Sequence, residues 1–435
     1  MKLLVFGTFD VDNYGDCLFP EILKEKVVSR FGDRVSLELF SPMAKVADIG
    51  VYDRVRQIPG TIDGIRHLAK SLENVCCVLV VGGELLQAGH TPAGMYCYLK
   101  PETMSSGLRL WLAPYYLAKE LGVPLVYNGL GAAKLTENQK RAVVSVYSEA
   151  AQSSLRDTNS RERLSTAEDC DHIRVTTDCA FTLGALKEEK EWKRYAKNIV
   201  AEDIVSSGYL VVQPRLDYLN SEVSVFCRNI AKIAGLLNVP VVLLPICYHH
   251  SDAEAVPQLK QLLQNEGVKV FGITEKLKTT STAAILSCSK GYVGTSLHGT
   301  ISSLSSAKPV VVLAKQGGKY DGVLREYGLQ SVVISEFHKI FDTFVDVINM
   351  DLTRVSMDAQ NRASKLFDEI FAEIERSEWT YPERFSAIVE QVYEEDISYY
   401  RGRPIDRLKR MICTVTRSNP ALYALQERIS SWKRK

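Results

Sequence analysis

Residues 290–314, KGYVGTSLHGTISSLSSAKPVVVLA, decide the fold class of this chain. Gly291–Gly294 reads as a short apolar strand ending in glycine, and Thr295 and Ser296 as candidate helix N-caps. Residues 298–306 read as a helix of small residues. Ala307-Lys308-Pro309 breaks that helix, and residues 309–314 return as a buried strand. Strand, turn, helix and strand in this order make a parallel βα unit. Ligands of open parallel sheets sit beyond the carboxyl ends of the strands, where helix N-termini present free N–H groups. His298 stands at that position.

The same rhythm extends outward in both directions. Strands are expected over 2–7, 35–41, 75–83, 124–131 and 175–181, with helices such as 17–31 and 108–121 between them. A polar, charged helix over 187–207 follows. Strands then resume over 208–214, 240–246, 268–272, 291–295, 309–314 and 331–335. The fold class is therefore α/β, with two Rossmann-like domains facing each other across a cleft. The expected boundaries are 1–186 for the N-terminal domain and 207–348 for the C-terminal one. From Asp351 onward only helical patterns remain, interrupted at Trp379-Thr380-Tyr381-Pro382, so residues 349–435 are expected as a helical extension. No fixed-period repeat is present.

Composition narrows the function classes. A formal net charge of +1 gives no global case for nucleic acid, and no stretch approaches the apolar length of a membrane span. MKLLVFGTFD enters directly into a strand rather than a signal peptide, and the ten cysteines show no CxxC pair. The expectation is a cytoplasmic protein with free thiols at Cys76, Cys77, Cys179 and Cys247, and no metal. His249-His250 is set aside as a metal pair because adjacent loop side chains rarely converge on one ion. Charge is segregated along the chain, however: residues 401–435 carry ten Lys or Arg against two acids. Such a tail suits either the anionic inner face of a membrane or a solvated basic helix resting on the body.

Candidate binding residues fall at strand ends. The segment Gly7-Thr8-Phe9-Asp10-Val11-Asp12-Asn13-Tyr14-Gly15-Asp16 joins the first strand to the first helix without the glycine spacing of a dinucleotide or nucleotide-phosphate loop. It is either a hydroxyl-binding turn or a plain Asn/Gly turn with Asp16 as helix cap. Gly82 and Gly83 allow close backbone approach after the third strand, and Glu84 can accept a sugar hydroxyl. The long segment up to Gly107, with His90, Tyr96 and Tyr98, reads as a site cover or a surface excursion. Arg215, Lys315 and Lys319 follow separate strands of the second half, as an anion site requires or as ordinary solvated and ion-paired cations. Asp252 reads as a helix cap.

The ordered set NYGD (13–16), GGE (82–84), NGLGA (128–132), LRDTNS (155–160), TDCAF (177–181), VQPR (212–215) and GTSLHG (294–299) resembles the polysaccharide pyruvyltransferase family over residues 1–345. The resemblance implies a GT-B-like arrangement of the two domains. It also implies transfer of pyruvate from phosphoenolpyruvate, as co-substrate and without a further cofactor, onto saccharide hydroxyls as a cyclic ketal. The acceptor would be a surface or exopolysaccharide precursor, lipid-linked or free. The family's Arg-Leu-His element maps onto Ser296-Leu297-His298, so the histidine is present and a serine replaces the arginine. On this reading His298 is catalytic, while Arg215, Ser296, Lys315 and Lys319 bind the donor. Asn13, Tyr14, Asp16, Gly82, Gly83 and Glu84 face the acceptor. A GT-B-type glycosyltransferase using a nucleotide sugar, or a non-catalytic glycan-binding member of the same fold, remains open beside it.

Overall fold

Runs such as Val75–Val81, VCCVLVV, are apolar on both faces, which suits a parallel strand covered by helices on each side. The computed structural model describes residues 1–89, 103–165, 170, 173–215, 219, 222–248, 252–315 and 318–401. It contains two such sheets. The first comprises β1 (Lys2–Phe6), β2 (Ser36–Ser41), β3 (Arg56–Gln57), β4 (Val75–Val81), β5 (Leu125–Leu130), β6 (Gln152–Leu155) and β7 (Arg174–Val175), in the order β3-β2-β1-β4-β5-β6-β7. The second comprises β8 (Leu210–Val212), β9 (Val241–Leu243), β10 (Val270–Gly272), β11 (Gly291–Gly294), β12 (Val310–Leu313) and β13 (Val333–Ile334), in the order β10-β9-β8-β11-β12-β13. All pairings are parallel. Strand order reverses between β1 and β4 in one sheet and between β8 and β11 in the other. Those two switch points are where ligands bind in open α/β sheets.

Several local expectations are corrected. The first helix begins at Tyr14 because Asn13, not Asp16, is its cap, accepting from Gly15 N at 3.2 Å. The strand expected over 175–181 stops at Val175, and Cys179–Ala185 is a 3-10 helix whose cap, Asp178, accepts from Ala180 N at 3.0 Å. The helix expected over 187–207 is two, Glu189–Lys197 and Glu202–Ser207. Strands β3 and β6 went unforeseen: the first has two residues, and the second, QSSL, lacks an apolar run.

The C-terminal helices complete the first lobe. Helix Leu352–Arg376 buries Ala359, Ala363, Phe367, Ile370 and Ile374 in the core that also holds Cys77, Leu79 and Phe181. Trp379 then ties down the interruption, donating from its backbone to Gly122 O at 3.0 Å and from Nε1 to Glu149 O at 3.1 Å. Helix Ala387–Arg401 places Val389, Val392, Tyr393 and Ile397 in the core on the other face of the first sheet, with Val78 and Val80. The extension thus closes a sheet face that would otherwise expose apolar side chains. Residues 402–435, with most of the basic tail, lie outside the described residues. Among the described residues no helix is long and apolar enough to cross a membrane. Cys76, Cys77 and Cys179 are buried free thiols, and Cys247 is also buried.

Helix Tyr14–Phe31 forms the seam between the lobes. Its Leu18, Phe19 and Leu23 share one core with Trp192, Ala283, Leu297 and Ile301. Asn13 pairs antiparallel with Cys247, Tyr14 N donates to Ile246 O at 3.0 Å, and the Tyr14 hydroxyl meets Ser302 Oγ at 2.7 Å. Glu21 of the same helix faces a small enclosed space beside Leu183, Lys187 and Trp192. Burial pushes its carboxyl up to about 7, with Lys24 and Lys187 opposing and Glu25 reinforcing. A carboxyl raised in the folded state stabilises below its ordinary pKa and loses that contribution as pH rises through the folded value. Wild-type melting temperature should therefore fall more steeply than that of Glu21→Gln between about pH 5 and about pH 8. Parallel melting curves for the two proteins would contradict this.

Candidate active site

The chain turns at the end of β11 under close constraint. Gly294 has no room for a side chain, since a Cβ there would lie 2.3 Å from the Tyr292 hydroxyl. That hydroxyl donates to Gln213 Oε1 at 3.0 Å, and Thr295 N donates to the same oxygen at 2.9 Å, joining the ends of β8 and β11. Ser296 caps the following helix, Leu297–Leu304, by accepting from Gly299 N at 3.1 Å. This puts His298 in the first turn and directs its ring across the seam.

The ring is received by the first lobe. A Cβ on Gly15 would lie 2.0 Å from His298 Nδ1, so glycine there makes the space, while Gly83 lines the ring at a distance where a Cβ would only touch Cε1, at 3.6 Å. Phe19 packs edge-on, with ring centroids 5.2 Å apart at 89°. Nε2 faces Asp178 Oδ2 at 3.5 Å, with side-chain exposures of 13% and 0%. Two residues from opposite lobes therefore meet in a nearly dry setting.

A buried charge cluster stands behind that pair. Arg156 Nε donates to Asp157 Oδ2 at 3.0 Å, and its Nη1 lies 3.8 Å from Asp178 Oδ2. Burial works against the guanidinium charge, but Asp157, Asp178 and Glu84 outweigh it. Gly131 supplies room for this side chain, because a Cβ there would lie 2.8 Å from Arg156 Cζ. Asp157 also caps helix Thr158–Leu164 by accepting from Ser160 N at 2.7 Å, and Asn159 Nδ2 reaches Gly318 O of the other lobe at 3.2 Å. Asp178 Oδ2, His298 Nε2 and both amide atoms of Asn128 are buried without a hydrogen-bond partner among the described residues.

The other expected residues separate into groups. Lys319 starts helix Lys319–Arg325, within electrostatic reach of Arg156, Glu84 and Asp16 of the first lobe. Its side chain is exposed, yet crowding by protein and the neighbouring Arg156 push its ammonium down, while Glu84 and Asp16 pull it up. Glu84 accepts from Arg163 Nη1 at 2.9 Å. Asp16 accepts from Thr8 Oγ1 at 2.7 Å and from Asn13 Nδ2 at 2.8 Å, which orders the turn. Gly82 has φ +152°, a conformation open to glycine. Arg215 is half-buried near Asp252, whose Oδ2 accepts from Gln213 Nε2 at 2.7 Å and from the backbone N–H groups of Ile246 and Cys247. Lys315 is exposed beyond β12. Tyr14 is buried at the seam, with its hydroxyl committed to Ser302 rather than turned toward an acceptor. His90, Tyr96, Tyr98, His249 and His250 lie outside the described residues.

Sequence reading assigned no role to Arg156, Asp157, Asp178 or Gln213. The only signal for them was their place in the LRDTNS, TDCAF and VQPR motifs.

Two parallel sheets facing each other across this seam, with C-terminal helices returning to the first lobe, define a GT-B-like α/β protein. A putative UDP-N-acetylglucosamine 2-epimerase from Listeria monocytogenes shares the fold, with a TM-score of 0.52 at 13% identity over 89% of this chain and 99% of that one. The UDP-GlcNAc 2-epimerase of Neisseria meningitidis gives 0.49 at 16% identity, over 86% and 100% of the two chains. MurG of Acinetobacter baumannii gives 0.45 at 12%, over 85% and 99%. No curated protein matches the chain in sequence. The sequence profile of the polysaccharide pyruvyl transferase family matches residues 13–316, and the chain belongs to that family.

Proposed function

We propose that the protein transfers the pyruvyl group of phosphoenolpyruvate onto two hydroxyls of a saccharide, forming a cyclic ketal during surface or exopolysaccharide assembly. The observation that carries this reading is the seat of His298: a histidine at one switch point, held against Gly15 and Gly83 at the other. Lys319 and Arg215 follow strands of the same lobe as His298. Histidine, with an ordinary pKa of about 6.5, suits proton transfer near neutrality.

The chemistry balances without a redox partner. A proton delivered to the methylene carbon of the enol phosphate turns it into a methyl group and makes C2 electrophilic. One sugar hydroxyl adds to C2 and gives up its proton to the base. The C2–O bond to phosphate then breaks as the second hydroxyl closes the ketal, and that hydroxyl's proton leaves with the phosphate. Arg215 and Lys319 hold the donor's carboxylate and phosphate, with Lys315 at the rim and the Ser296 turn contributing neutral donors where the family carries arginine. Asn13, Asp16, Gly82, Gly83 and Glu84 line the acceptor side, where the acceptor is lipid-linked or free. The basic tail is suited to bring the enzyme to the inner face of an anionic membrane.

A phosphate-release assay with phosphoenolpyruvate and a panel of free and lipid-linked oligosaccharides tests the reading. Wild type should release phosphate only when donor and acceptor are both present. Arg215→Ala should raise the KM for phosphoenolpyruvate about tenfold or more, because a charged hydrogen bond is worth roughly 1.5–3 kcal/mol. Normal donor binding by Arg215→Ala in calorimetry would place the donor elsewhere. Thermal protection by a nucleoside diphosphate but not by phosphoenolpyruvate would favour a nucleotide-sugar transferase instead.

A further inference from the structure

We propose that Asp178 is a positioning residue for His298, so that the proton carrier is assembled only where the two lobes meet. The kinetic consequence rests on the pyruvyl-transfer reading. The geometric claim does not.

Asp178 divides its two oxygens between two tasks. Oδ1 accepts from Ala180 N at 3.0 Å and caps the 3-10 helix Cys179–Ala185, which fixes the carboxylate plane. Oδ2 has no hydrogen-bond partner among the described residues and points at His298 Nε2, 3.5 Å away, with Arg156 Nη1 at 3.8 Å. The cap engages one oxygen only, and the plane it fixes leaves the second turned toward His298 Nε2. Burial favours the neutral acid at Asp178, but His298 and Arg156 outweigh it and hold the carboxyl below its ordinary value. An ionised carboxylate accepts hydrogen bonds and donates none. A hydrogen on Nε2 is the arrangement this carboxylate favours across the 3.5 Å contact, and it leaves Nδ1, the nitrogen beside Gly15, to exchange protons with substrate. Phe19 packs edge-on against the ring and supports this orientation. Because Asp178 belongs to the first lobe and His298 to the second, separating the lobes would dissolve the pair.

The test uses Asp178→Asn in the full-length chain. Asparagine keeps the Oδ1 cap on Ala180 and turns its NH2 group toward Nε2. Two donors cannot face each other, so the ring must move its hydrogen to Nδ1, and the tautomer becomes wrong for transfer. Protein labelled with 15N-histidine, observed at a pH that leaves imidazoles neutral, reports the tautomer directly, with the His298 signals assigned by their absence in His298→Gln. Wild type should show the Nε2–H form and Asp178→Asn the Nδ1–H form. In kinetics, kcat should fall about a hundredfold while the KM for phosphoenolpyruvate and the melting temperature stay near wild type.

An unchanged tautomer or an unchanged kcat in Asp178→Asn overturns the proposal. If that variant does not fold, an Nδ1–H form in wild type overturns it and an Nε2–H form supports it. Because the spectrum needs no substrate, a wild type inactive toward phosphoenolpyruvate would refute the proposed reaction and still leave the positioning role decided.

Discussion

His298→Gln should lower pyruvyl transfer by about two to four orders of magnitude, the usual contribution of a general acid–base group. Glutamine keeps a polar side chain of similar reach but cannot shuttle a proton. Phosphoenolpyruvate affinity by calorimetry should stay near wild type, since donor binding is assigned to Arg215 and Lys319. Melting temperature should also change little, because a glutamine of similar reach keeps much of the packing and the Nε2 of His298 makes a 3.5 Å polar contact with no hydrogen bond among the described residues. Substantial turnover by the glutamine variant would show that the residue orients substrate without carrying the proton. A large drop in melting temperature for both His298→Gln and His298→Ala would point to a structural histidine instead.

A single methyl group at position 15 should have nearly the same effect. Gly15 lies in the first turn of helix Tyr14–Phe31, where alanine is intrinsically favoured over glycine by about 1 kcal/mol, so Gly15→Ala leaves the helix itself sound. Its Cβ, however, would fall 2.0 Å from His298 Nδ1 and 2.6 Å from Cγ. Either the imidazole leaves Asp178 or the lobes separate. Displacement of a reacting group by about 1 Å can cost on the order of a hundredfold in rate. We expect a loss of about that size in kcat, together with a larger radius of gyration or a displaced His298 ring signal. Wild-type kinetics from Gly15→Ala would mean that the ring does not work from this seat.

Much of the fold was legible in the sequence, and for a definite reason. Buried parallel strands read as continuous apolar runs, so Val75–Val81 and Val310–Leu313 announced themselves, and the glycines and prolines bounding them marked the turns. Placing His298, Gly82, Gly83 and Arg215 at carboxyl strand ends required no more than that. Short or polar strands left no such trace: QSSL at β6 resembles a loop. TDCAF looked like a strand because its apolar residues are adjacent, whereas the capping bond from Ala180 N to Asp178 winds it into a 3-10 helix. Tyr14 was expected to face an acceptor, yet a tyrosine in a polar turn carries no sign that its hydroxyl will be consumed by Ser302 across the seam.

By itself the sequence determined the βα rhythm, the doubling of that rhythm, the helical end of the chain and the motif order that marks the family. These follow from local periodicity and from residues whose backbone preferences act within a few positions. Only the tertiary structure decided that Asp178 and Arg156 of one lobe stand behind His298 of the other, that Gly15 exists to admit an imidazole, and that Trp379 and helix Ala387–Arg401 finish the first lobe. Those facts depend on which apolar faces must cover each other. Burial of helix Tyr14–Phe31 between the two sheets sets that arrangement, and with it the short distance between two ionisable groups far apart in the chain.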